Sequence, residues 1–150
     1  MKKHLICILS VWLLTTCSHP VNNPEKTEEW PEIYPDYIGV TIPATIAPMN
    51  FDYIGKHDRI DVIVTGSKFG EIHVNARTAS FPEDEWHKLL ESNKGDSLLF
   101  TVSVKNENKW KQYRPFSMYV SDAPIDYGVV YRKVIPGYEV YSKMGIYERN

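Results

Sequence analysis

The sequence predicts a mainly β domain, an immunoglobulin-like or fibronectin-like β-sandwich with one short helix. Three observations lead to this prediction. β-branched and aromatic residues recur in short runs separated by Gly, Pro, Asn and Asp, which is the pattern of strands joined by turns. Two of these runs alternate apolar and polar residues, and one other stretch has helical periodicity. We therefore expect two packed β layers, with the helix closing one end or side.

Six segments are candidate strands, and two of them should carry the core. In the second and fourth segments every other residue is apolar, so one face of each strand should be buried. Residues 66–70 join the second and third segments as a short hairpin loop, because glycine readily adopts the positive φ that such loops need. The six segments are 39–42, 58–65, 70–76, 97–104, 116–121 and 129–134, and their alternating core residues are Ile60, Val62, Val64, Leu98, Phe100, Val102 and Val104.

One helix is predicted between the third and fourth strands. Ser80 can cap its N-terminus, Pro82 suits its first turn, and the acids at 83–85 favour the positive end of the helix dipole. Gly95 can end it. The apolar positions lie at i, i+3 and i+4 and so share one face, which should contact the sheets. That face consists of Trp86, Leu89 and Leu90.

The N-terminus has the anatomy of a signal peptide. Lys2 and Lys3 precede an apolar run over residues 5–14, which is much shorter than the roughly 20 residues of a membrane-spanning helix. The sequence Leu-Thr-Thr-Cys at 14–17 resembles the lipobox of bacterial lipoproteins, although Thr16 replaces the usual Gly, Ala or Ser. This resemblance implies cleavage before Cys17, lipid on its thiol and attachment to a membrane. The alternative is an ordinary secretory signal with a chance cysteine.

Four regions follow from this reading: a signal peptide at 1–16, a lipid-anchored flexible tether at 17–32, a β-sandwich at 33–123 and a C-terminal arm at 124–150. Residues 18–32 contain three prolines and four acids but few apolar residues, so this stretch should not order itself. Cys7 is lost with the signal peptide, so the mature chain has no disulfide and must be held by its core. The first acid after Cys17 is Glu25, which favours an outer-membrane anchor facing the periplasm over export to the cell surface.

Several segments occur in an order that is typical of one protein family. Residues 33–43 read IYPDYIGVTIP and residues 46–51 read IAPMNF. The later segments are Trp110, YRPF at 113–116, PID at 124–126, YR at 131–132, PGYE at 136–139 and IYER at 146–149. Together they resemble the N-terminal module of Gram-negative lipoproteins that continue into a TolB-like, WD40-like β-propeller.

In that family a Cys-x-x-Cys-His element, similar to a c-type haem site, follows the module. This sequence ends at Asn150 without that element and without blade-length repeats. The resemblance therefore implies either a stand-alone version of the module or the truncated product of a longer gene. Neither haem chemistry nor a propeller function is expected from these residues.

The sequence predicts no catalytic residue, no metal site and no cofactor. His57, His73 and His87 lack metal-ligand spacing, and no serine lies in Gly-x-Ser-x-Gly. Residues 66–70 lack the Lys-Ser/Thr ending of a phosphate-binding loop. The formal net charge of −2 argues against nucleic acid as a partner. An envelope enzyme would need converging titratable groups in a concave site, which the sequence does not indicate.

Aromatic residues are the one enrichment that suggests binding, at 13% of the chain. They could form an exposed platform for protein or sugar, or they could pair across strands inside the sandwich. The candidates are Trp30, Tyr34, Tyr37, Trp110, Tyr113, Tyr119 and Tyr138. The leading hypothesis is a non-catalytic interaction or assembly module, tethered to the membrane through Cys17, that binds another envelope protein. The alternative is a carbohydrate-binding module of the envelope.

Overall fold

A computed structural model describes residues 21–124, 129–132 and 145–149, so Cys17 and Tyr138 lie outside the described residues. Strands make up 44% and helix 9%, which confirms the prediction of a mainly β protein with one short helix. The elements are β1 (Glu25–Lys26), β2 (Ile33–Tyr34), β3 (Thr41–Pro43), β4 (Asp52–Tyr53), β5 (Arg59–Gly66), β6 (Glu71–Ala76), α1 (Glu83–Ser92), β7 (Asp96–Asn106), β8 (Lys109–Gln112), β9 (Phe116–Ser121), β10 (Val129–Arg132) and β11 (Ile146–Arg149).

Seven of these strands form one sheet around the long strand β7. On one side β7 pairs antiparallel with β5, which in turn pairs antiparallel with β6. On the other side β7 pairs first with β8 and then with β9, which follow each other along the same edge. β1 runs parallel to β8 and β3 runs parallel to β9. The N-terminal part of the domain therefore forms one border of the sheet and β6 the other.

A β-bulge separates β8 from β9. Gln112 is opposite Ser103 and Phe116 is opposite Phe100, so three residues at 113–115 face two at 101–102. The extra residue bends this strand, as bulges do, and Tyr113 within it is buried. The amide of Tyr113 still donates a hydrogen bond to the Val102 carbonyl, with a distance of 2.9 Å.

The core lies between this sheet and a second layer that contains α1 and the antiparallel β2–β4 ladder. The pairing register places the alternating apolar residues of β5, β7 and β9 on one face of the sheet. Aromatic rings connect the two layers: Trp86 of α1 stacks on Phe81, with 5.3 Å between centroids, and Phe81 meets Phe100 edge-on at 6.2 Å. Phe100 stacks on Phe116 at 4.9 Å. Two packed layers are consistent with the predicted β-sandwich.

Helix α1 connects β6 to β7 and buries the predicted apolar face of Trp86, Leu89 and Leu90. The predicted cap is wrong, because the N-cap is Pro82 and no side chain caps the first turn. Ser80 lies too early in the chain, where the next amide, that of Phe81, donates to the Asn50 side chain instead. At the other end Asn93 is the C-cap, and Gly95 follows with a positive φ of 71°.

All six predicted strands are found within the described residues. Most of their ends are shifted by one or two residues from the predicted positions. The loop at 66–70 is confirmed as a hairpin, in which the Gly66 amide donates to the Gly70 carbonyl over 2.9 Å and Gly70 has a φ of 91°. β10 ends at Arg132, and residues 133–134 of the predicted strand lie outside the described residues. β10 pairs antiparallel with β11, so the described part of the predicted arm forms a two-stranded ladder.

The prediction of a flexible tether reaching residue 32 is wrong for residues 25–32. β1 pairs with β8, and the Glu29 carbonyl accepts a hydrogen bond of 2.9 Å from the Arg114 amide. Pro31 is buried. Composition reports on side chains alone, whereas this segment gains main-chain hydrogen bonds at an otherwise open sheet edge.

A candidate interaction groove

The β2–β4 ladder presents one face to the core and the other to solvent. Ile33 pairs with Tyr53 and Tyr34 pairs with Asp52. Because side chains alternate along a strand, Ile33 points into the core, and Tyr34 and Asp52 point outward. The Ile54 amide donates to the Glu32 carbonyl over 2.9 Å, which extends the ladder by one residue.

A groove with a volume of about 670 Å³ lies beside this ladder. It is an open surface groove and not an enclosed cavity. Three large apolar side chains around it stay in contact with solvent: Trp30 is 43% exposed, Tyr34 72% and Ile54 64%. The groove is lined by Trp30, Pro31, Glu32, Ile33, Tyr34, Asp36, Ile38 and Ile54. We call it the Tyr34 groove.

Two basic side chains, one on β8 and one just after it, contact the segment that carries Trp30 at the rim of the Tyr34 groove. The Arg114 guanidinium lies over the Trp30 ring, with 4.4 Å to the ring centroid. The Lys111 ammonium donates to the Glu29 carboxylate over 2.6 Å. That hydrogen bond lowers the pKa of Glu29 and raises the pKa of Lys111. The segment carrying Trp30 is therefore positioned by both main-chain and side-chain contacts.

Behind the ladder, a pair of tyrosines joins it to the bulge of the large sheet. The hydroxyl groups of Tyr53 and Tyr113 are 2.7 Å apart and share a hydrogen bond. His57 packs edge-on against the Tyr53 ring at 5.6 Å, and Lys111 lies 5.0 Å from the centroid of the Tyr113 ring. Burial, followed by the hydrogen bond to Tyr53, raises the pKa of Tyr113. These contacts give the groove a supported wall.

The structure brings together two of the predicted binding aromatics, Trp30 and Tyr34. Tyr113 was also predicted as a binding aromatic, and this is wrong, because it is only 7% exposed and belongs to the core. Tyr37 is half-buried against the core. Two others lie elsewhere: by their register Trp110 of β8 and Tyr119 of β9 share the sheet face opposite α1. Tyr138 and the lipidation residue Cys17 lie outside the described residues.

Ile54 and Phe69 are exposed apolar residues that sequence reasoning missed. Ile54 follows a strand of two residues, which is too short to give a periodic signal. Phe69 is at the tip of the β5–β6 hairpin, where it borders a small pocket of about 180 Å³ against α1. An aliphatic or aromatic residue in a short loop carries no sequence signal that distinguishes exposure from burial.

A buried polar network lies on the sheet face opposite α1. Asp61 accepts hydrogen bonds from Asn75, at 2.6 Å, and pairs with His73 at 2.7 Å. Ser103 is opposite Asp61 on β7, so Asp, His and Ser occur on neighbouring strands. Asp61 and Ser103 are both buried, and Asn75 also accepts from Arg59. We interpret the network as structural, because neither the carboxylate nor the hydroxyl is open to a substrate in solution.

Among residues 21–124, 129–132 and 145–149, no three His, Cys, Asp or Glu side chains are grouped so that they could hold a metal ion. The same part of the chain contains no helix long and apolar enough to span a membrane. A scan against protein-family models, a search of curated proteins and a search of solved structures each gave no match.

Proposed function

We propose that this protein is a lipid-anchored lipoprotein of the bacterial cell envelope, and that its β domain is a non-catalytic module that binds another envelope protein through the Tyr34 groove. Lipidation of Cys17 is supported by the short apolar run and the lipobox-like sequence that precede it. The position of the first acidic residue after Cys17, which is Glu25, supports an outer-membrane anchor facing the periplasm.

The observation that carries the binding proposal is the exposure of Trp30, Tyr34 and Ile54 around one groove. Exposed apolar groups that are clustered, and not scattered singly, mark interaction sites in soluble domains. Trp, Tyr and Arg are also the residues that contribute most to the binding energy of protein interfaces, and Arg114 stacks directly on Trp30.

Membrane attachment is tested by Cys17→Ala in the producing bacterium. We expect the wild type to incorporate labelled fatty acid and to sediment with membranes, whereas the variant should incorporate none. Cys7→Ala is the matched control, because it removes a cysteine inside the predicted signal peptide and should leave labelling unchanged. If Cys17→Ala is still labelled, the lipoprotein proposal is wrong.

Partner binding is tested by photo-crosslinking in intact cells. A photoreactive phenylalanine analogue replaces Tyr34, and in a second strain it replaces Tyr119, which is also exposed but lies on β9. We expect a discrete crosslinked envelope protein from position 34 and none from position 119. Crosslinks from position 119 alone would contradict the proposed site.

A carbohydrate ligand is the second candidate, because Trp30 and Tyr34 line the groove together with the carboxylates of Glu32 and Asp36. Sugars stack on aromatic faces, and their hydroxyl groups donate hydrogen bonds to carboxylates. Titration of the full chain with soluble peptidoglycan fragments, followed by calorimetry, tests this candidate. Binding that is lost in Tyr34→Ala and kept in Tyr119→Ala would favour a glycan over a protein.

A further inference from the structure

We propose that the Tyr34 groove takes an extended peptide segment in which a Lys or Arg side chain lies next to a large apolar one. This inference rests on the proposed function of the groove as a protein-binding site and names the chemistry of the partner. It follows from the charges at the groove, the exposed apolar surface and the free strand edge.

The charge at the groove is negative. Among the described residues that line it, Glu32 and Asp36 are the charged ones, and the ion pairs formed within residues 21–124 involve neither of them. Lys111 is paired with Glu29, whereas Arg114 stacks on the neutral ring of Trp30 and keeps its charge, so Glu32, Asp36 and Arg114 together leave one net negative charge at the groove. A cationic side chain from a partner therefore gains attraction without displacing an existing ion pair.

The apolar part of the groove needs a partner that covers Tyr34 and Ile54, the two most exposed of its side chains. A large apolar residue beside the cation would bury both of them. A second copy of this chain fits poorly through the same surface, because a symmetric contact would bring Glu32 and Asp36 against their own copies. A segment that is both basic and apolar avoids this repulsion.

The β2–β4 ladder favours an extended conformation of the bound segment. Within the described residues the ladder has two strands, and β2 pairs with β4 alone. Pro31 and Pro35 flank β2 and have no amide hydrogen, so an extended segment would add to this edge through the main chain of Ile33, while alternate side chains reach the groove. After β2 the chain makes a local turn, in which the Asp36 Oδ1 accepts a hydrogen bond from the Ile38 amide over 3.1 Å.

The inference is tested by selecting displayed short peptides of randomised sequence on the full chain in detergent, with Tyr34→Ala as the subtractive background. An enriched peptide is then synthesised with a fluorophore, together with an analogue in which each Lys or Arg is Gln. Binding is measured by anisotropy against wild type, the double variant Glu32→Gln with Asp36→Asn, and the control Glu91→Gln. Asn at position 36 keeps the acceptor for the Ile38 amide, so the double variant changes charge without changing the turn.

We expect enriched peptides to carry Lys or Arg two positions from a large apolar residue, because alternate side chains of an extended segment share one face. Their affinity should fall by about tenfold in the double variant, and to a similar extent for the Gln analogue, because two solvent-exposed charge contacts are lost. Glu91→Gln should bind like wild type, because Glu91 lies on α1, where it pairs with Lys94 and does not line the groove. The affinity should also weaken with added salt.

Three results would overturn the inference: no enrichment above the Tyr34→Ala background, enrichment of acidic or uncharged peptides, or equal affinity for the double variant and wild type. Crosslinking from position 34 separates this failure from that of the proposed function. A crosslinked protein together with failed peptide selection would leave the groove as a protein site and reject only the basic peptide. Failure of both would reject the protein-binding function as well.

Discussion

Asn93 ties the β5–β6 hairpin loop to the end of α1, and its replacement by alanine should strongly destabilise the protein. The side chain is fully buried. Its Oδ1 accepts hydrogen bonds from the amides of Lys68, at 2.8 Å, and Phe69, at 3.3 Å. Its Nδ2 donates to the carbonyls of Phe69 and Leu89, both at 2.7 Å. Asn93→Ala removes all four hydrogen bonds and leaves a void between the loop and the helix.

The expected loss follows from the number of bonds. A typical intramolecular hydrogen bond contributes about 0.5–1.5 kcal/mol net, so four would contribute about 2–6 kcal/mol. Water can reach part of the loop in the variant and replace some of these bonds, since Lys68 and Phe69 are exposed residues. We therefore expect the free energy of unfolding to fall by about 3 kcal/mol, which in a domain of this size corresponds to a decrease of about 10 °C in Tm.

Urea titration and thermal melting of the full chain, followed by circular dichroism, measure this loss. Asn93→Asp keeps both acceptors but places a carboxylate against the Phe69 and Leu89 carbonyls, so it should destabilise at least as much as alanine. Ser92→Ala is the matched control: Ser92 is exposed and donates only to the Lys88 carbonyl, so its loss should stay within about 0.5 kcal/mol. A loss below about 1 kcal/mol for Asn93→Ala would refute the view that this side chain holds the hairpin.

Three further predictions concern the β5–β6 hairpin, α1 and the bulge. Gly66→Ala should lower the free energy of unfolding by about 1–3 kcal/mol, because the new methyl group would overlap the side chain of Asn93. Urea titration measures this loss. If the variant is as stable as wild type, the hairpin moves to accommodate the methyl group. Trp86→Phe should lower the free energy of unfolding by about 1–3 kcal/mol, because the carbonyl of Ile46 loses its hydrogen bond of 3.2 Å from the indole N–H. Thermal melting measures this loss, and an unchanged Tm would show that the hydrogen bond contributes nothing to stability. The pKa of Tyr113 is raised in the folded state. The contribution of its hydroxyl to the free energy of unfolding is therefore fully present below the pKa of an unfolded tyrosine, about 10, and is lost as the pH rises from that value towards the raised pKa of the folded state. Tyr113→Phe should therefore flatten the alkaline decline in stability, and an unchanged slope would contradict this assignment.

The long strands and the helix could be predicted because burial on one side leaves a period in the sequence. β9 begins and ends at the predicted residues, and Ile60 and Phe100 lie on the buried face that alternation indicated. The three two-residue strands β1, β2 and β4 were missed, since two residues cannot show a period. Their pairing depends on main-chain groups of distant strands, which no local pattern encodes.

The candidate groove could be predicted only in part. Residue type predicts Trp30 and Tyr34 as aromatics able to bind, but it predicts the same of Tyr113, which is buried. Residue type alone does not separate them, because tyrosine serves equally well in a core and on a surface. Ile54 lies at the groove because β4 pairs with β2, and the sequence does not indicate this pairing.

The sequence by itself determined the mainly β composition, the buried faces of the long strands and the position of α1, because these follow from local periodicity and the cost of exposing apolar surface. Only the tertiary structure decided that residues 25–29 join the sheet edge, that Tyr113 turns inward at the bulge and that Trp30, Tyr34 and Ile54 meet around one groove. Each of these depends on contacts between segments far apart in the chain, and such contacts form through main-chain pairing and packing that leave no local pattern.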